Sequence, residues 1–332
     1  MALKIAINGF GRIGRCVARI IAKRDDVELV AVNDTAERAM TKQLLKYDSV
    51  HGTFDEEIAL LDNDRMQIGK HVVQLFSTRD PKELPFAALG VDVVLECTGS
   101  FLTQEKAQIF IDSGVKRVVM SAPAKDDTPT FVLGVNEHEY KGQAIVSNAS
   151  CTTNCLGPIA KVLDDAFGIK KGLMTTIHAY TNDQNILDVK HAKDLRRARA
   201  AAVNMIPTTT GAAKAIGLVL PQLKGKLHGQ SVRVPTPNVS MVDLNVLVGK
   251  TTTKEAINAL FKAKAQTELA GMLLVDEEHR VSQDFQSSSY SCVVAADLTQ
   301  VIDGDMVKIM AWYDNEWGYS TRLVEMALHV SK

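Results

Sequence analysis

The sequence has no excess of charge of either sign. Its 332 residues include 38 lysines and arginines against 39 aspartates and glutamates, for a formal net charge of −1 at pH 7. A surface that binds nucleic acid or an anionic membrane usually carries a clear positive excess. We therefore expect no nucleic-acid partner and no membrane partner.

Long apolar runs are also missing. No run reaches the roughly 20 apolar residues that a membrane-spanning helix needs, and the opening MALKIAINGF lacks the apolar core and cleavage site of a secretory signal. The five cysteines, at positions 16, 97, 151, 155 and 292, are odd in number and widely scattered. These features favour a cytoplasmic location and argue against structural disulfides.

The length and the order of apolar segments predict two domains. In residues 1–150, short β-rich runs such as KIAIN and VELVAVN alternate with helical patterns such as RCVARIIAKR. This alternation is typical of βαβ units on a parallel sheet, with an antiparallel excursion over residues 58–76. We expect an α/β Rossmann-type domain.

The pattern changes from about residue 151. One helix-like segment leads into long β-rich runs, including GLMTTIHAYT and VSMVDLNVLVG, with further helical stretches at 211–220 and 253–266. This predicts an α+β domain with a mostly antiparallel sheet from about residue 151 onward. The final segment, GYSTRLVEMALHV, has helical periodicity.

INGFGRIGR contains the glycine pattern of a dinucleotide site. Gly9, Gly11 and Gly14 follow a predicted strand and open a predicted helix, where a tight turn lets backbone N–H groups approach a pyrophosphate. Asp34 lies twenty residues after Gly14, at the end of the second strand. A carboxylate at that distance suits a hydrogen bond to an adenosine ribose, so we predict dinucleotide binding.

The pair Cys151 and Cys155 in SNASCTTNC leaves several interpretations open. On a helix the two Cβ vectors run nearly parallel, which suits a disulfide poorly. A zinc site would need a second closely spaced Cys/His pair, which is missing, so we expect no metal. Buried packing remains the ordinary role of a cysteine.

A nucleophile is the other interpretation of Cys151. At a helix start, unpaired N–H groups and the helix dipole lower a thiol pKa, although Pro158 would remove one hydrogen bond of such a helix. His178, at the end of a strand-like run, is the candidate activating base, but a lone strand histidine is more often structural. Arg233 and the arginines at 196, 197 and 199 lie near Thr/Gly-rich turns, which suits small phosphate groups.

These segments together identify a family. INGFGRIGR, SNASCTTNC, HAYTNDQ, RRARAA, PTTTGAAKA, RVPTPNVS and WYDNEWGYS resemble phosphorylating glyceraldehyde-3-phosphate dehydrogenase nearly end to end. The resemblance implies a cytoplasmic homotetramer active in glycolysis or gluconeogenesis. It also implies an NAD-binding domain over 1–150, completed by a C-terminal helix at 317–332.

The resemblance also implies roles for individual residues. Cys151 is the expected nucleophile, His178 its activator and Cys155 a buried neighbour. The residues expected to hold the substrate phosphate are Thr181 and Arg233. Those expected to line the inorganic phosphate site are Ser150, Thr152, Arg196, Thr210 and Gly211. The dinucleotide contacts, besides the glycines, are expected from Arg12, Ile13, Asp34, Arg79, Ser121, Asn315 and Tyr319.

The implied reaction is oxidation of D-glyceraldehyde 3-phosphate with inorganic phosphate to 1,3-bisphosphoglycerate, through a cysteine thioester. Erythrose-4-phosphate dehydrogenase keeps the same cysteine and histidine and remains an alternative, as does a nonenzymatic nucleotide-binding protein. The segment DQNILDVKHAKDLRR is about one residue longer than is usual in the family. Because Asp34 opposes a 2′-phosphate, we expect NAD to be preferred, with weaker use of NADP supported by Thr35, Lys190 and Lys193.

Overall fold

The structure, a computed structural model, describes residues 2–332. Within them the chain divides into two compact units. The first holds the described part of Met1–Leu133 together with Glu137–Ser150 and Ser320–Lys332. The second holds Gly134–Asn136 and Cys151–Tyr319. No helix in the described part of the chain is long and apolar enough to cross a membrane.

The first unit contains ten strands. They are β1 (Leu3–Asn8), β2 (Val27–Asn33), β3 (Tyr47–Asp48), β4 (Gly52–Thr53), β5 (Ile58–Leu60), β6 (Arg65–Ile68), β7 (His71–Phe76), β8 (Val93–Glu96), β9 (Arg117–Met120) and β10 (Ile145–Ser147). Eight of them form one sheet in the order β10-β9-β8-β1-β2-β7-β6-β5.

That sheet is mostly parallel. The pairs from β10 to β7 are all parallel, and only the edge strands β6 and β5 are antiparallel. Counted along the chain, the six parallel strands stand in the order 3-2-1-4-5-6, which is that of a dinucleotide-binding fold. The predicted Rossmann-type domain and its antiparallel excursion are confirmed.

Three helices of this unit lie between its strands: α1 (Arg12–Ala22), α2 (Arg38–Lys46) and α3 (Gln104–Asp112). Helix α1 buries Cys16, Val17, Ile20 and Ile21, which recur at helical spacing on one face. Strand β1 is buried from Ile5 to Asn8, as expected for a central parallel strand covered on both faces. The core therefore holds the end of β1 and the start of α1 in fixed positions.

The second unit contains a sheet built from β11 (Ile169–Ala179), β12 (Ile206–Thr209), β13 (Leu227–Val234), β14 (Ser240–Val248), β15 (Leu273–Asp276), β16 (Cys292–Ala295), β17 (Gln300–Ile302) and β18 (Met306–Tyr313). Its order is β12-β13-β11-β14-β18-β16-β15, with β17 beside β18. Only the pairs β11–β13 and β15–β16 are parallel. The predicted α+β domain with a mostly antiparallel sheet is confirmed.

The helices α4 (Cys151–Phe167), α5 (Ala212–Val219) and α6 (Lys254–Gln266) belong to this second unit. Helix α4 runs without a break through Pro158, although proline cannot donate the backbone hydrogen bond at that position. Residues 152–160 are all buried, so packing offsets the missing bond. Cys151 is the first residue of this helix.

The last helix, α7 (Trp317–Val330), begins in the second unit and continues in the first from Ser320. Within the first unit its end is fixed by side chains of two other segments. Tyr140 Oη donates to the carbonyl of Val330 (3.0 Å) and Arg117 Nε to the same oxygen (3.2 Å). His329 Nε2 donates to the carbonyl of Glu137 (2.9 Å).

Candidate active site

The turn after β1 requires glycine at two of its three glycine positions. Gly9 has a φ of +95°, and a Cβ there would lie 2.7 Å from the backbone nitrogen of Thr98. A Cβ on Gly14 would lie 2.3 Å from the carbonyl oxygen of Gly9. At Gly11 nothing lies within 4 Å of such a Cβ. The first two glycines let backbone segments pack closely, while Gly11 leaves its side of the turn open.

This turn borders a cavity of about 570 Å³ at the carboxyl ends of β1, β2 and β8. That volume is typical of a small-molecule site, and parallel sheets place such sites where the strand order reverses. Four of the predicted coenzyme residues line it, namely Gly9, Gly11, Asp34 and Arg79. Thr35 and Phe101 line it as well.

The carboxylate of Asp34 connects the second strand to the glycine turn. The backbone N–H of Phe10 donates to its Oδ2 (2.7 Å), and the N–H of Ala36 donates to its Oδ1 (2.8 Å). A carboxylate has about four acceptor positions, so acceptor capacity remains for ribose hydroxyl groups. The side chain is thus held at the cavity by hydrogen bonds that leave it able to bind a ligand.

The other predicted coenzyme residues of the first unit are not among those that line the cavity. Arg12 forms a two-point ion pair with Asp48, with N–O distances of 2.9 and 3.1 Å. Burial raises the pKa of Asp48, but Arg12 and the backbone N–H groups of His51 and Val50 outweigh this effect and hold that pKa well below its usual range. Ile13 is half-buried, and the backbone N–H of Ser121 donates to Glu96 O (3.0 Å).

In the second unit, Cys151 and His178 meet at the start of α4. Cys151 Sγ lies 3.6 Å from His178 Nε2, within hydrogen-bond reach for sulfur. Cys151 is half-buried, whereas Cys155, one helical turn further along, has no exposed surface. The geometry therefore pairs His178 with Cys151.

Burial disfavours the charged form of both His178 and Cys151. Burial, and then the nearby cation Arg233, lower the pKa of His178 to about 3. Burial raises the pKa of Cys151, opposed by Arg233 and by hydrogen bonds from Thr152. We expected the helix start to lower the thiol pKa. Desolvation of the sulfur outweighs that effect. A thiolate at this position depends on a neighbouring cation.

Burial raises the thiol pKa of two other cysteines, Cys97 and Cys155. Burial raises the pKa of Cys97, in the cavity of the first unit, to about 12. Burial, with Cys292 and Cys151 nearby, also raises the pKa of Cys155 well above its usual value. Thiols of this kind are poor nucleophiles at neutral pH.

Arg233 lies beside His178 because their strands are paired. In the parallel pair β11–β13 the two residues are directly opposite each other. Arg233 Nη1 lies 2.8 Å from His178 Nδ1 and 3.1 Å from the carbonyl oxygen of Ala179. Thr181, two residues after the end of β11, is half-buried. The predicted anion-binding arginine thus lies next to the predicted base.

Most residues predicted for the inorganic phosphate site lie at the starts of two helices, α4 and α5. Thr152 is buried, and its Oγ1 lies 2.9 Å from Tyr313 Oη. Thr210 Oγ1 accepts from the N–H of Ala212 at the start of α5 (3.2 Å), and Gly211 precedes that helix. Ser150 directly precedes α4, while Arg196 is exposed.

Asn315 and Tyr319, also predicted for the coenzyme, are both buried in the second unit. Ser240 Oγ donates to Asn315 Oδ1 (2.7 Å) and accepts from the N–H of Ala179 (3.0 Å). This chain of hydrogen bonds fixes the orientation of the Asn315 amide, so that its Nδ2 is the group able to donate to a ligand.

Comparison with known proteins identifies the family. Residues 3–104 match the NAD binding domain of glyceraldehyde 3-phosphate dehydrogenase, and residues 150–315 match its C-terminal domain. The chain is 53% identical to the glyceraldehyde-3-phosphate dehydrogenase of Geobacillus stearothermophilus, over 100% of this chain and 99% of the relative. It is 52% identical to the chloroplastic enzyme GAPA1 of Arabidopsis thaliana, over 98% of this chain and 83% of the relative.

The chain belongs to the glyceraldehyde-3-phosphate dehydrogenase family. It is an oxidoreductase, and NAD is its cofactor. The residues of the first unit fit this cofactor, because Gly9 and Gly14 form the close turn and Asp34 retains acceptor capacity beside a cavity of suitable size.

A chain of buried polar side chains at that cavity was not predicted from the sequence. Asn8 Nδ2 donates to Glu96 Oε2 (2.6 Å), and Asn33 Nδ2 donates to Asn8 Oδ1 (2.8 Å). Asn33 in turn accepts from the N–H of Thr78 (3.0 Å). Burial raises the pKa of Glu96 despite its hydrogen bonds to Thr98 and Asn8. The sequence feature that could have predicted this chain is an asparagine at the end of each of two apolar strands, β1 and β2.

Of two further residues near the dehydrogenase cysteine, Tyr313 was not predicted, and Arg197 was predicted only as one of several arginines suited to phosphate, without a place in the site. Tyr313 is buried and bridges α4 to β11, with its Oη 2.9 Å from Thr152 Oγ1 and 2.8 Å from Thr176 Oγ1. Arg197 donates to Asp183 (2.6 Å), to Thr208 Oγ1 (2.9 Å) and to the carbonyl of Thr209 (3.2 Å), and its Nε also lies 3.6 Å from Asp194 Oδ2. Its positive charge also acts on His178 and Arg233.

Proposed function

We propose that this protein is a phosphorylating glyceraldehyde-3-phosphate dehydrogenase. It oxidises D-glyceraldehyde 3-phosphate with inorganic phosphate to 1,3-bisphosphoglycerate, as a step of glycolysis or of the reverse route, gluconeogenesis. The observation that carries the proposal is the contact of 3.6 Å between Cys151 Sγ and His178 Nε2, with Arg233 adjacent. Curated relatives named glyceraldehyde-3-phosphate dehydrogenase are 53% identical to this chain over 99% or more of its length.

The reaction begins at Cys151. Its sulfur forms a bond to the aldehyde carbon, and the carbonyl oxygen becomes the hydroxyl of a hemithioacetal. His178 Nε2 takes the proton of that hydroxyl as the carbon is oxidised. The glycine turn and Asp34 would hold NAD, whose nicotinamide would supply the acceptor for the hydride on this carbon. The product on the protein is a thioester of Cys151.

The second half of the reaction releases Cys151. An oxygen of inorganic phosphate attacks the thioester carbon, the carbon–sulfur bond breaks, and sulfur leaves as the thiolate. The product is an acyl phosphate, and the thiolate is ready for another aldehyde. Cysteine suits both steps because it is a good nucleophile and a good leaving group.

We assign the substrate phosphate to Thr181 and Arg233. For inorganic phosphate we retain Ser150, Thr152, Thr210, Gly211 and Arg196. The position of Arg197, against the residues that precede Thr210, supports adding this arginine to the set. Guanidinium groups bind phosphate with charge-assisted hydrogen bonds, so either arginine is chemically suitable.

For the coenzyme we propose an NAD-binding domain over 1–150, completed by the helix 317–332, and a catalytic domain over 151–316. The proposed contacts are the turn Gly9, Gly11, Arg12, Ile13 and Gly14, the residues Asp34, Arg79 and Ser121, and, from the later part of the chain, Asn315 and Tyr319. The Nδ2 group of Asn315 suits a carboxamide oxygen, because Ser240 already donates to its Oδ1. Weaker use of NADP is part of the proposal.

We also propose a cytoplasmic homotetramer. The apolar side chains of Ile186, Leu187 and Leu195 are 83%, 75% and 91% exposed, all within one polar loop. Exposed apolar groups that cluster in this way are typical of surfaces covered by another chain. Analytical ultracentrifugation at several concentrations measures this assembly directly.

The test of the function is a steady-state assay with glyceraldehyde 3-phosphate, phosphate and NAD, with erythrose 4-phosphate as the competing aldehyde. We expect a higher kcat/KM for glyceraldehyde 3-phosphate. Cys151→Ser should abolish NADH formation, while Cys155→Ala, the matched control in the same helix, should keep most of it. An active Cys151→Ser protein would contradict the proposal.

A further inference from the structure

A continuous chain of hydrogen bonds joins the ends of three strands at the cavity of the first unit. At the end of β8, Glu96 Oε1 accepts from the backbone N–H of Thr98 (2.8 Å), and Glu96 Oε2 accepts from Asn8 Nδ2 (2.6 Å). Asn33 Nδ2 donates to Asn8 Oδ1 (2.8 Å), and the N–H of Thr78 donates to Asn33 Oδ1 (3.0 Å). Four of these residues line the cavity, and Glu96 is fully buried. The chain therefore connects β8, β1 and β2 where they meet the cavity.

The orientation of this chain is fixed at Thr78. The backbone of Thr78 contacts both ends of the Asn33 amide, since its N–H donates to Oδ1 and its carbonyl oxygen accepts from Nδ2 (both 3.0 Å). A backbone N–H only donates and a carbonyl oxygen only accepts, so the Asn33 amide cannot turn around without losing both bonds. Asn33 therefore presents Nδ2 to Asn8, and Asn8 presents its Oδ1 in return. The Nδ2 group of Asn8 then faces Glu96.

The other end of the chain is also fixed by a backbone donor. The N–H of Thr98 donates to Glu96 Oε1, and the hydroxyl of Thr98 donates to the same oxygen. Position 96 thus lies between donors and has to accept at both of its oxygens. An ionised carboxylate does so, whereas a glutamine amide or a protonated carboxyl carries a donor of its own. Burial raises the pKa of Glu96, but hydrogen bonds from Thr98, Asn8 and the backbone of Gly99 oppose the rise and favour the ionised form.

The residues of this chain also hold the backbone of the coenzyme site. The N–H of Gly9 donates to the carbonyl oxygen of Asn33 (2.8 Å), and Asp34 directly follows Asn33. A Cβ on Gly9 would lie 2.7 Å from the backbone nitrogen of Thr98, so the glycine turn and Thr98 pack closely. A shift of the strand ends would therefore displace the glycine turn and Asp34 together.

We propose that Glu96 is a positioning residue of the NAD site. Its carboxylate accepts at both oxygens and thereby sets the orientation of the Asn8 amide between Glu96 and Asn33. The aligned chain holds the carboxyl ends of β1, β2 and β8, and with them the glycine turn and Asp34. The inference rests on the proposed placement of NAD at this cavity.

The chain requires one carboxylate, and that carboxylate can be moved to a neighbouring position. In Glu96→Gln, the new amide nitrogen faces either Asn8 Nδ2 or the N–H of Thr98, and both are donors. In Asn8→Asp, two carboxylates face each other across the contact of 2.6 Å. In the double variant Glu96→Gln/Asn8→Asp, the amide nitrogen at position 96 donates to one carboxylate oxygen at position 8, and Asn33 donates to the other. Every donor of the chain again faces an acceptor.

The experiment compares the unmodified protein with these three variants above neutral pH. It measures the Kd of NAD by titration calorimetry and the unfolding midpoint without NAD. Glu96→Gln should weaken NAD binding at least about tenfold and lower the midpoint, because a buried donor loses its acceptor. Asn8→Asp should weaken NAD binding as well, and the double variant should return to within about threefold of the unmodified protein. The matched control is Glu105→Gln, at an exposed position of α3 in the same unit, which should leave the Kd of NAD unchanged.

Recovery in the double variant is the decisive result, since a general loss of packing would make two substitutions worse than one. Unchanged NAD binding in Glu96→Gln, or a double variant that binds NAD no better than Glu96→Gln, would overturn the inference. A double variant that recovers its unfolding midpoint and not its NAD binding would overturn it as well, because the chain would then act on stability alone. If Glu96→Gln does not fold, a folded double variant that binds NAD supports the inference and an unfolded one overturns it. Absence of NAD binding in the unmodified protein would contradict the proposed placement of NAD instead.

Discussion

At the scale of single residues, burial changes the chemistry of the same side chain within one helix. Cys151 and Cys155 are one turn apart on α4, but only Cys151 is within 3.6 Å of an imidazole. Cys155 is fully buried, and its neighbours Cys292 and Cys151 add to the rise in its pKa. Position relative to His178 therefore decides which thiol reacts.

Replacement of this histidine tests its role directly. We expect His178→Asn to lower the single-turnover rate with glyceraldehyde 3-phosphate by at least about a hundredfold, since the proton acceptor is lost. The pH at which iodoacetamide labels Cys151 should rise. His228→Asn, an exposed histidine on β13, is the control and should change neither quantity. An unchanged labelling profile in His178→Asn would assign activation of the thiol to another group.

At the scale of elements, regular segments were predictable and contacts across the chain were not. The strands β1 and β2, which precede Gly9 and Asp34, were predictable because a parallel strand covered on both faces contains a continuous apolar run. The unbroken course of α4 through Pro158 was not, because it depends on tertiary packing. The hydrogen bonds of Arg197 join residues 11 to 14 positions apart, beyond the reach of local patterns.

The need for glycine in the turn after β1 was predictable from the sequence and can be measured. Gly9→Ala should lower the free energy of unfolding by about 2 kcal/mol or more, since the residue has a positive φ and its Cβ would contact Thr98. It should also abolish NAD binding by displacing the turn. Gly11→Ala is the matched variant, and its cost should stay below about 1 kcal/mol because it only changes the residue that caps α1.

Thermal unfolding with and without NAD measures both glycine variants. If both variants lowered the unfolding midpoint equally, neither the positive φ of Gly9 nor its contact with Thr98 would explain why this turn needs glycine. A loss of NAD binding in Gly11→Ala at normal stability would instead indicate that a methyl group there obstructs the ligand. That outcome is compatible with the position of Gly11 in the cavity lining.

At the scale of the whole molecule, charge is nearly balanced, with a formal net charge of −1. Such a protein has no strong overall field to attract or repel a coenzyme that carries an additional phosphate. Discrimination between NAD and NADP must therefore come from groups at the cavity itself. Asp34, Thr35 and Arg79 all line that cavity, and they include charges of both signs.

Asp34 should dominate this balance. Its carboxylate is tied to the N–H groups of Phe10 and Ala36, so it cannot turn away from an incoming 2′-phosphate without losing both hydrogen bonds. We expect a higher kcat/KM with NAD than with NADP in the unmodified protein. Asp34→Asn removes the charge and keeps one acceptor oxygen, so it should raise kcat/KM for NADP while losing one of the two backbone hydrogen bonds. Asp34→Ala also removes the acceptor and should weaken NAD further. If the unmodified protein preferred NADP, Lys190 and Lys193 in the longer loop would be the next residues to replace.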